Sequence, residues 1–167
     1  FIRLLEGRDA LSARCLVFTI LTASRTTQAR GAKWREINFA EKTWEVPSKR
    51  MKSGKVHSVP LSDRALNVLE LLRTEPRGEF VFPSTGREGH LSDAAMLSLL
   101  NRLGMRDGDK KLTVHGFRST MMEWMEHETL YPRDLGEHVL SHAVGSQAFR
   151  AYARGSKQKR RRMVMQE

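Results

Sequence analysis

Apolar side chains crowd the stretch from Asp9 to about Thr22 on every side of a helical wheel. That is the pattern of a helix enclosed by other elements rather than one lying on a surface. Beyond it the periodicity shortens. "AKWREINF", "TWEVPS" and "VHSVPL" are brief runs rich in β-formers, separated by the turn-like "AEK" and "KRMKSGK". They predict a small antiparallel sheet built from hairpins. Helical spacing then returns. Ser62 is placed to cap a helix through Arg73, with Ala65, Leu69 and Leu72 on one face. "EFVFPSTGREG" reads as a short extended piece and a loop, after which Ser92 caps a helix whose Met96, Leu99, Leu100 and Leu103 share one side. "GMRDGDKK" is a loop, and Phe117, Met121, Trp124 and Met125 mark a further amphipathic helix. Pro132 opens one that runs to Ser141, and Ser146 to Ala153 forms a last short helix ahead of the basic run "KQKRRR". No internal repeat is visible. The pattern predicts an α+β fold, mostly helical with a small antiparallel sheet.

Charge changes this picture more than composition does. The 167 residues suit one domain, in which about two thirds of the unfolded surface is buried. Lys and Arg number 29 against 19 Asp and Glu, a net charge of +10. Such an excess says little about fold but selects anionic partners, nucleic acid or a membrane surface. No apolar run approaches the roughly 18 residues needed to cross a bilayer; the most apolar stretch, Leu11 to Ala23, is broken by Ser12, Arg14, Thr19 and Thr22. No signal-peptide pattern is present, and the chain opens on Phe1 rather than Met, as expected of a piece of a longer protein. Its single cysteine, Cys15, excludes an internal disulfide and a cysteine-based zinc site. A buried small hydrophobe in a reduced cytosolic setting is the expectation there.

Several stretches could carry chemistry. His138 and His142 are spaced like helical zinc ligands, but Glu137 precedes the first histidine instead of following it, and a third protein ligand is wanting. His115 and Arg118, in "TVHGFRST", point the same way from a helix start and would suit a phosphate, which a guanidinium fork can grip. In "LTASRTTQARGAKW", Arg25 ends the buried helix, where a charge needs a partner. "SKRMKSGKVH" gathers Lys49, Arg50, Lys52, Lys55 and, if protonated, His57 in one hairpin turn, where like charges repel unless a polyanion lies against them. It is not a phosphate-binding P-loop, since the glycine spacing is absent. Taken singly, each has an ordinary structural reading: a surface ion pair, a solvated loop, a solvated C-terminal basic run. By helical spacing Tyr152 is a core aromatic.

In this order the four stretches strongly resemble the catalytic domain of the tyrosine recombinases, the phage-integrase family, and most of all integrases of prophages and genomic islands. "LTASRTTQARGAKWREIN" is similar to the first-arginine box, "RMKSGKVHSVPLS" to the lysine hairpin, "HGFRST" to the H-x-x-R box and "LSHAVGSQAFRAYAR" to the last histidine with the tyrosine. The resemblance covers essentially the whole chain and implies a DNA breaking-rejoining fold over residues 1–167, with core-binding and arm-binding domains upstream of it. It implies that Arg25 and Arg118 clamp a scissile phosphate and that His115 and His142 complete the pocket. Lys52 would protonate the leaving 5′ oxygen, and Tyr152 would attack phosphorus. Lys49, Arg50 and Lys55 would contact DNA, and Lys49 and Lys55 remain alternatives to Lys52 as the acid. No cofactor is implied, because one phosphodiester is exchanged for another. The implied partner is double-stranded DNA, bound by a homotetramer of the full-length protein with accessory DNA-bending or excision factors, in a bacterial cytoplasm at the nucleoid and not at a membrane. The isolated piece should hold DNA weakly and with little specificity.

One position departs from the family pattern. Gln28 stands where a glutamate is usual, three residues after the first arginine. This keeps open a catalytically impaired DNA-binding remnant, with a type IB topoisomerase as a more distant enzyme alternative. From the sequence, Gln28→Glu is expected to leave strand cleavage undiminished.

Overall fold

The computed structural model describes residues 1–74, 78–84, 89–107, 111–140 and 154–167, with the backbone alone for 154–157. The first apolar run forms helix α2 (Leu11–Leu21), following a short α1 (Ile2–Glu6). Ala13, Cys15, Leu16 and Phe18 on α2 are fully enclosed, as the pattern predicted. The Phe18 ring lies 5.2 Å from Trp44 and 5.5 Å from Phe82, centroid to centroid. These tilted aromatic contacts join the helix to the sheet and to the segment that carries Phe82. A short α3 (Thr26–Arg30) follows. At five residues each, α1 and α3 are too brief to show a period, and neither was expected.

The sheet has three antiparallel strands in sequence order: β1 (Ile37–Asn38), β2 (Thr43–Val46) and β3 (His57–Pro60), with Trp44 opposite both Ile37 and Val59. Less of "AKWREINF" is strand than its composition suggested. Residues Trp34–Glu36 form a 3₁₀ turn, because the Glu36 carboxylate folds back to accept the Lys33 N–H at 3.1 Å. Local capping of this kind competes with sheet pairing.

Ser62 caps α4 (Asp63–Arg73) as expected, its hydroxyl accepting the Ala65 N–H at 3.3 Å. Helix α5 (Ala95–Arg102) starts later than Ser92. Arg30 reaches across to the Leu91 carbonyl and the Asp93 carboxylate, and this anchors the preceding residues outside the helix. Helix α6 (Gly116–Glu128) carries the predicted face, and α7 (Arg133–Val139) follows; Pro132 stands at the α7 N-cap and Leu140 follows its last turn.

The expected solvated basic tail is instead a docked helix, α8 (Arg154–Gln166), with Val164 and Met165 buried. Its charges pointed to solvent in the sequence, yet Val164 and Met165, just beyond the basic run, form an apolar pair that seats it. The helix expected over Ser146–Ala153, and with it Ser141, His142 and Tyr152, lies outside the described residues. Among the described residues no helix is long and apolar enough to cross a membrane.

Among the described residues two apolar clusters result. The larger joins α2, the sheet, α4 and α5; the smaller joins Ala23, Met125, Leu135, Val139, Leu140, Val164 and Met165. Ala23 belongs to the second although it follows the first cluster's central helix.

Candidate active site

The seam between the two clusters is where the predicted arginines meet. Ala23 turns the chain out of α2 with φ of 46°, a left-handed conformation that a residue bearing a Cβ seldom adopts. Its carbonyl accepts from Arg118 Nη1. The second Arg118 terminal nitrogen donates to the Leu140 carbonyl at 2.7 Å. Arg118 is only 4% exposed. Burial, and then the charge of Arg25, lower its pKa to about 10. It stays cationic at neutral pH, and the coupling places the two guanidiniums of the first-arginine and H-x-x-R stretches in one electrostatic neighbourhood. His115 stands exposed at the N-terminal end of α6, its carbonyl accepting the Arg118 N–H at 3.0 Å.

Arg25 is held from below by Gln28. The amide oxygen accepts the Arg25 backbone N–H at 2.8 Å, while the amide nitrogen donates to the Met51 sulfur at 3.0 Å. Gln28 is 2% exposed. A glutamate there could keep the first bond but has no proton for the thioether when ionised. The amide thus serves both partners at this position, one by accepting and one by donating.

Met51 precedes Lys52, so the same amide ties the first-arginine turn to the lysine hairpin. Lys49, Lys52 and Lys55 are exposed there, around a turn in which Gly54 has φ of 64°. Arg50 is engaged inside the protein. It pairs with Glu36 and donates to the Gln28 carbonyl at 3.0 Å. Glu36 also accepts from the Trp44 indole at 3.2 Å, so Arg50 braces the sheet against α3.

Two residues of this region were missed as site candidates. His57, counted above with the cations of the turn, opens β3 and is uncharged: burial lowers its pKa to about 3, helped by the charges of Arg161, Arg118 and Arg25 and opposed by a hydrogen bond to the Val139 backbone. Arg161 of α8 lies beside it, with Nη2 3.3 Å from His57 Nε2 and 2.6 Å from the Ser58 carbonyl. Burial also lowers the Arg161 pKa to about 10, against the charge of Glu45. Its place inside a basic run disguised it; the only signal was the neighbouring Val164 and Met165 pair, which hints at a buried helix face. Cys15, fully buried, has its thiol raised to about 12 by desolvation, which makes it inert. Among the described residues no group of three or more His, Cys, Asp and Glu side chains gathers into a metal-holding cluster.

The arrangement is therefore a concentration of guanidiniums about a neutral imidazole. Such a place can bind a phosphate oxyanion through charge-assisted bonds. A sequence model described as the phage integrase family matches residues 5–159. The chain is 35% identical to prophage integrase IntA of Escherichia coli K12 over 94% of its own length and 38% of that protein's. It is 31% identical to prophage integrase IntZ of the same organism over 100% of its length and 41% of that protein's. It thus spans about two fifths of these relatives. XerA recombinase superposes with a TM-score of 0.64 at 18% identity, covering 90% of this chain and 59% of that one. A λ integrase dimer bound to a core site gives 0.63 at 20% identity, covering 86% and 54%.

Proposed function

The chain belongs to the phage integrase family, the tyrosine recombinases, and from that premise we propose that it is the catalytic domain of a site-specific DNA recombinase that cuts and rejoins strands through Tyr152. The observation that carries this reading is Arg118, buried and cationic, bonded to the Ala23 carbonyl two residues before Arg25. The domain would act within a longer integrase that supplies core-binding and arm-binding modules, on double-stranded DNA and as a homotetramer.

The chemistry follows from charge. Attack on a phosphodiester places added negative charge on its non-bridging oxygens. Preorganised guanidiniums stabilise that charge without reorganising at the moment of reaction. Arg25 and Arg118 are assigned to those oxygens, with His115 and His142 completing the shell. Tyrosine, of pKa about 10, is a weak nucleophile until its proton is drawn off beside such cations. Its oxygen would form the bond to phosphorus while the 5′ oxygen leaves, taking a proton from Lys52. The product is a 3′-phosphotyrosyl link and a free 5′ hydroxyl, and reversal with a new 5′ hydroxyl rejoins the strand. Lys49 and Lys55 would steady the backbone of the duplex; Arg50 would support them through Glu36.

The test is a suicide substrate nicked beside the cleavage site, offered to the full-length protein. Wild type should accumulate a covalent protein–DNA adduct and Tyr152→Phe should give none. Binding without an adduct from wild type would leave a DNA-binding remnant.

A further inference from the structure

His57 lies where two separate parts of the chain meet the arginine pair. Arg161 can only donate, so His57 Nε2 must accept from it at 3.3 Å. The ring proton is then on Nδ1, which leaves that nitrogen to donate to the Val139 carbonyl, the backbone hydrogen bond that the imidazole makes. Val139 adjoins Leu140, whose carbonyl takes Arg118 at 2.7 Å. A continuous line of hydrogen bonds and one peptide unit thus runs from Arg118 through the end of α7 to His57 and on to Arg161 of α8. Arg161 and Gln158 both fasten α8 to Ser58, at 2.6 Å to its carbonyl and 3.3 Å to its hydroxyl.

The residue type at this junction matters. An apolar side chain could fill the space but could not accept from a guanidinium and donate to a carbonyl together. A cation could not sit among three arginines. Among the described residues the Nε of Arg161 is already buried without a partner, so losing the imidazole would leave that guanidinium short of a second acceptor, and buried unsatisfied donors are costly.

We propose that His57 is a positioning residue of the reaction: its imidazole couples Arg161 of α8 to the carbonyl rim of α7 that orients Arg118. The inference rests on the recombinase reading above and adds to it a residue of the lysine hairpin for which the resemblance implied no role. His57 acts through Arg118 and Arg161 and need not touch the DNA. Since a misplacement of about 1 Å can slow a reaction roughly 100-fold, a loosened rim should be visible in the rate of cleavage before it is visible in binding.

The experiment uses the full-length protein and the suicide substrate, with single-turnover cleavage, DNA affinity and Tm measured for each variant. His57→Leu should slow cleavage roughly 10- to 100-fold while affinity changes little and Tm falls only by the few degrees that an unpaired donor costs. His57→Gln, whose amide carries both a donor and an acceptor, should recover most of the rate. Arg161→Met should slow cleavage similarly, and the double variant with His57→Leu should be no slower than the worse single one. A wild-type rate in either single variant would overturn the proposal. So would a loss that follows Tm, resists Gln and adds to that of Arg161→Met, which is the signature of packing alone. Should His57→Leu fail to fold, Arg161→Met and His57→Gln decide by the same criteria. No adduct from wild type would overturn the recombinase reading itself, a result distinct from an adduct formed at equal rates by wild type and variants.

Discussion

The two apolar clusters are held together differently. The larger is filled by rigid aromatic and branched side chains, with Phe18, Trp44 and Phe82 enclosed at its centre. The smaller is built of methionine, leucine and valine, and it meets the larger through Ala23 and the polar line of Arg118, His57 and Arg161. Methionine adapts its shape where rigid rings do not. Gly136 on α7 shows how close the fit is: a Cβ there would come within 2.8 Å of the Met122 sulfur. The contrast teaches that the first cluster is a scaffold, while the second is an adjustable body whose orientation is fixed by directional bonds. The candidate chemistry sits where the one is fastened to the other.

That comparison can be broken at several points. The largest effect should come from the scaffold: Phe18→Ala should lower unfolding free energy by about 3–5 kcal/mol, whereas Met125→Leu in the smaller cluster should change it by less than about 1.5 kcal/mol. Chemical denaturation distinguishes them, and equal losses would erase the proposed division. Next in size is Arg118→Ala, which should slow strand cleavage about 10²- to 10³-fold and leave the Ala23 and Leu140 carbonyls unpaired. Single-turnover adduct formation is the measurement.

The pH dependence follows from His57. Its folded pKa, about 3, lies below the 6.5 of the free side chain, so between these values the unfolded chain binds the extra proton. Stability should therefore fall as pH drops from about 6.5 toward 3, with a slope of up to about 1.4 kcal/mol per pH unit from this group. His57→Gln should flatten that limb in denaturation curves taken across the range. A smaller effect is expected at Gln28→Glu, which puts an ionisable carboxylate in a buried site and removes the donor to the Met51 sulfur; it should cost about 1–3 kcal/mol, with slower cleavage. Undiminished stability and rate would restore the expectation drawn from sequence alone.

Legibility in the sequence followed the same division. The scaffold could be read because its signals are local: the apolar wrap of α2, the Ser62 cap, the one-sided spacing of α5 and α6. Arg25, Lys52, His115 and Arg118 were proposed as a set through the order of their motifs, and Arg118 bonds the Ala23 carbonyl two residues before Arg25. What could not be read depended on contacts between distant parts of the chain. Arg161 looked like one cation among several in a solvated tail, and His57 like one more charge in a basic turn. Each has its role only because α8 folds back on β3, at a separation of roughly a hundred residues. Gln28 was read as a departure from pattern, and the Met51 sulfur 23 positions away explains its amide.

The central claim is that the two bodies together present a phosphate to Tyr152. It is tested most directly by locating the covalent bond. Adduct formed by the full-length protein on a suicide substrate would be digested with nuclease and protease, and the nucleotide-bearing peptide sequenced by mass spectrometry. The account predicts a single modified peptide with the nucleotide on Tyr152. A nucleotide on any other side chain, or no modified peptide from protein that binds the substrate, would contradict it.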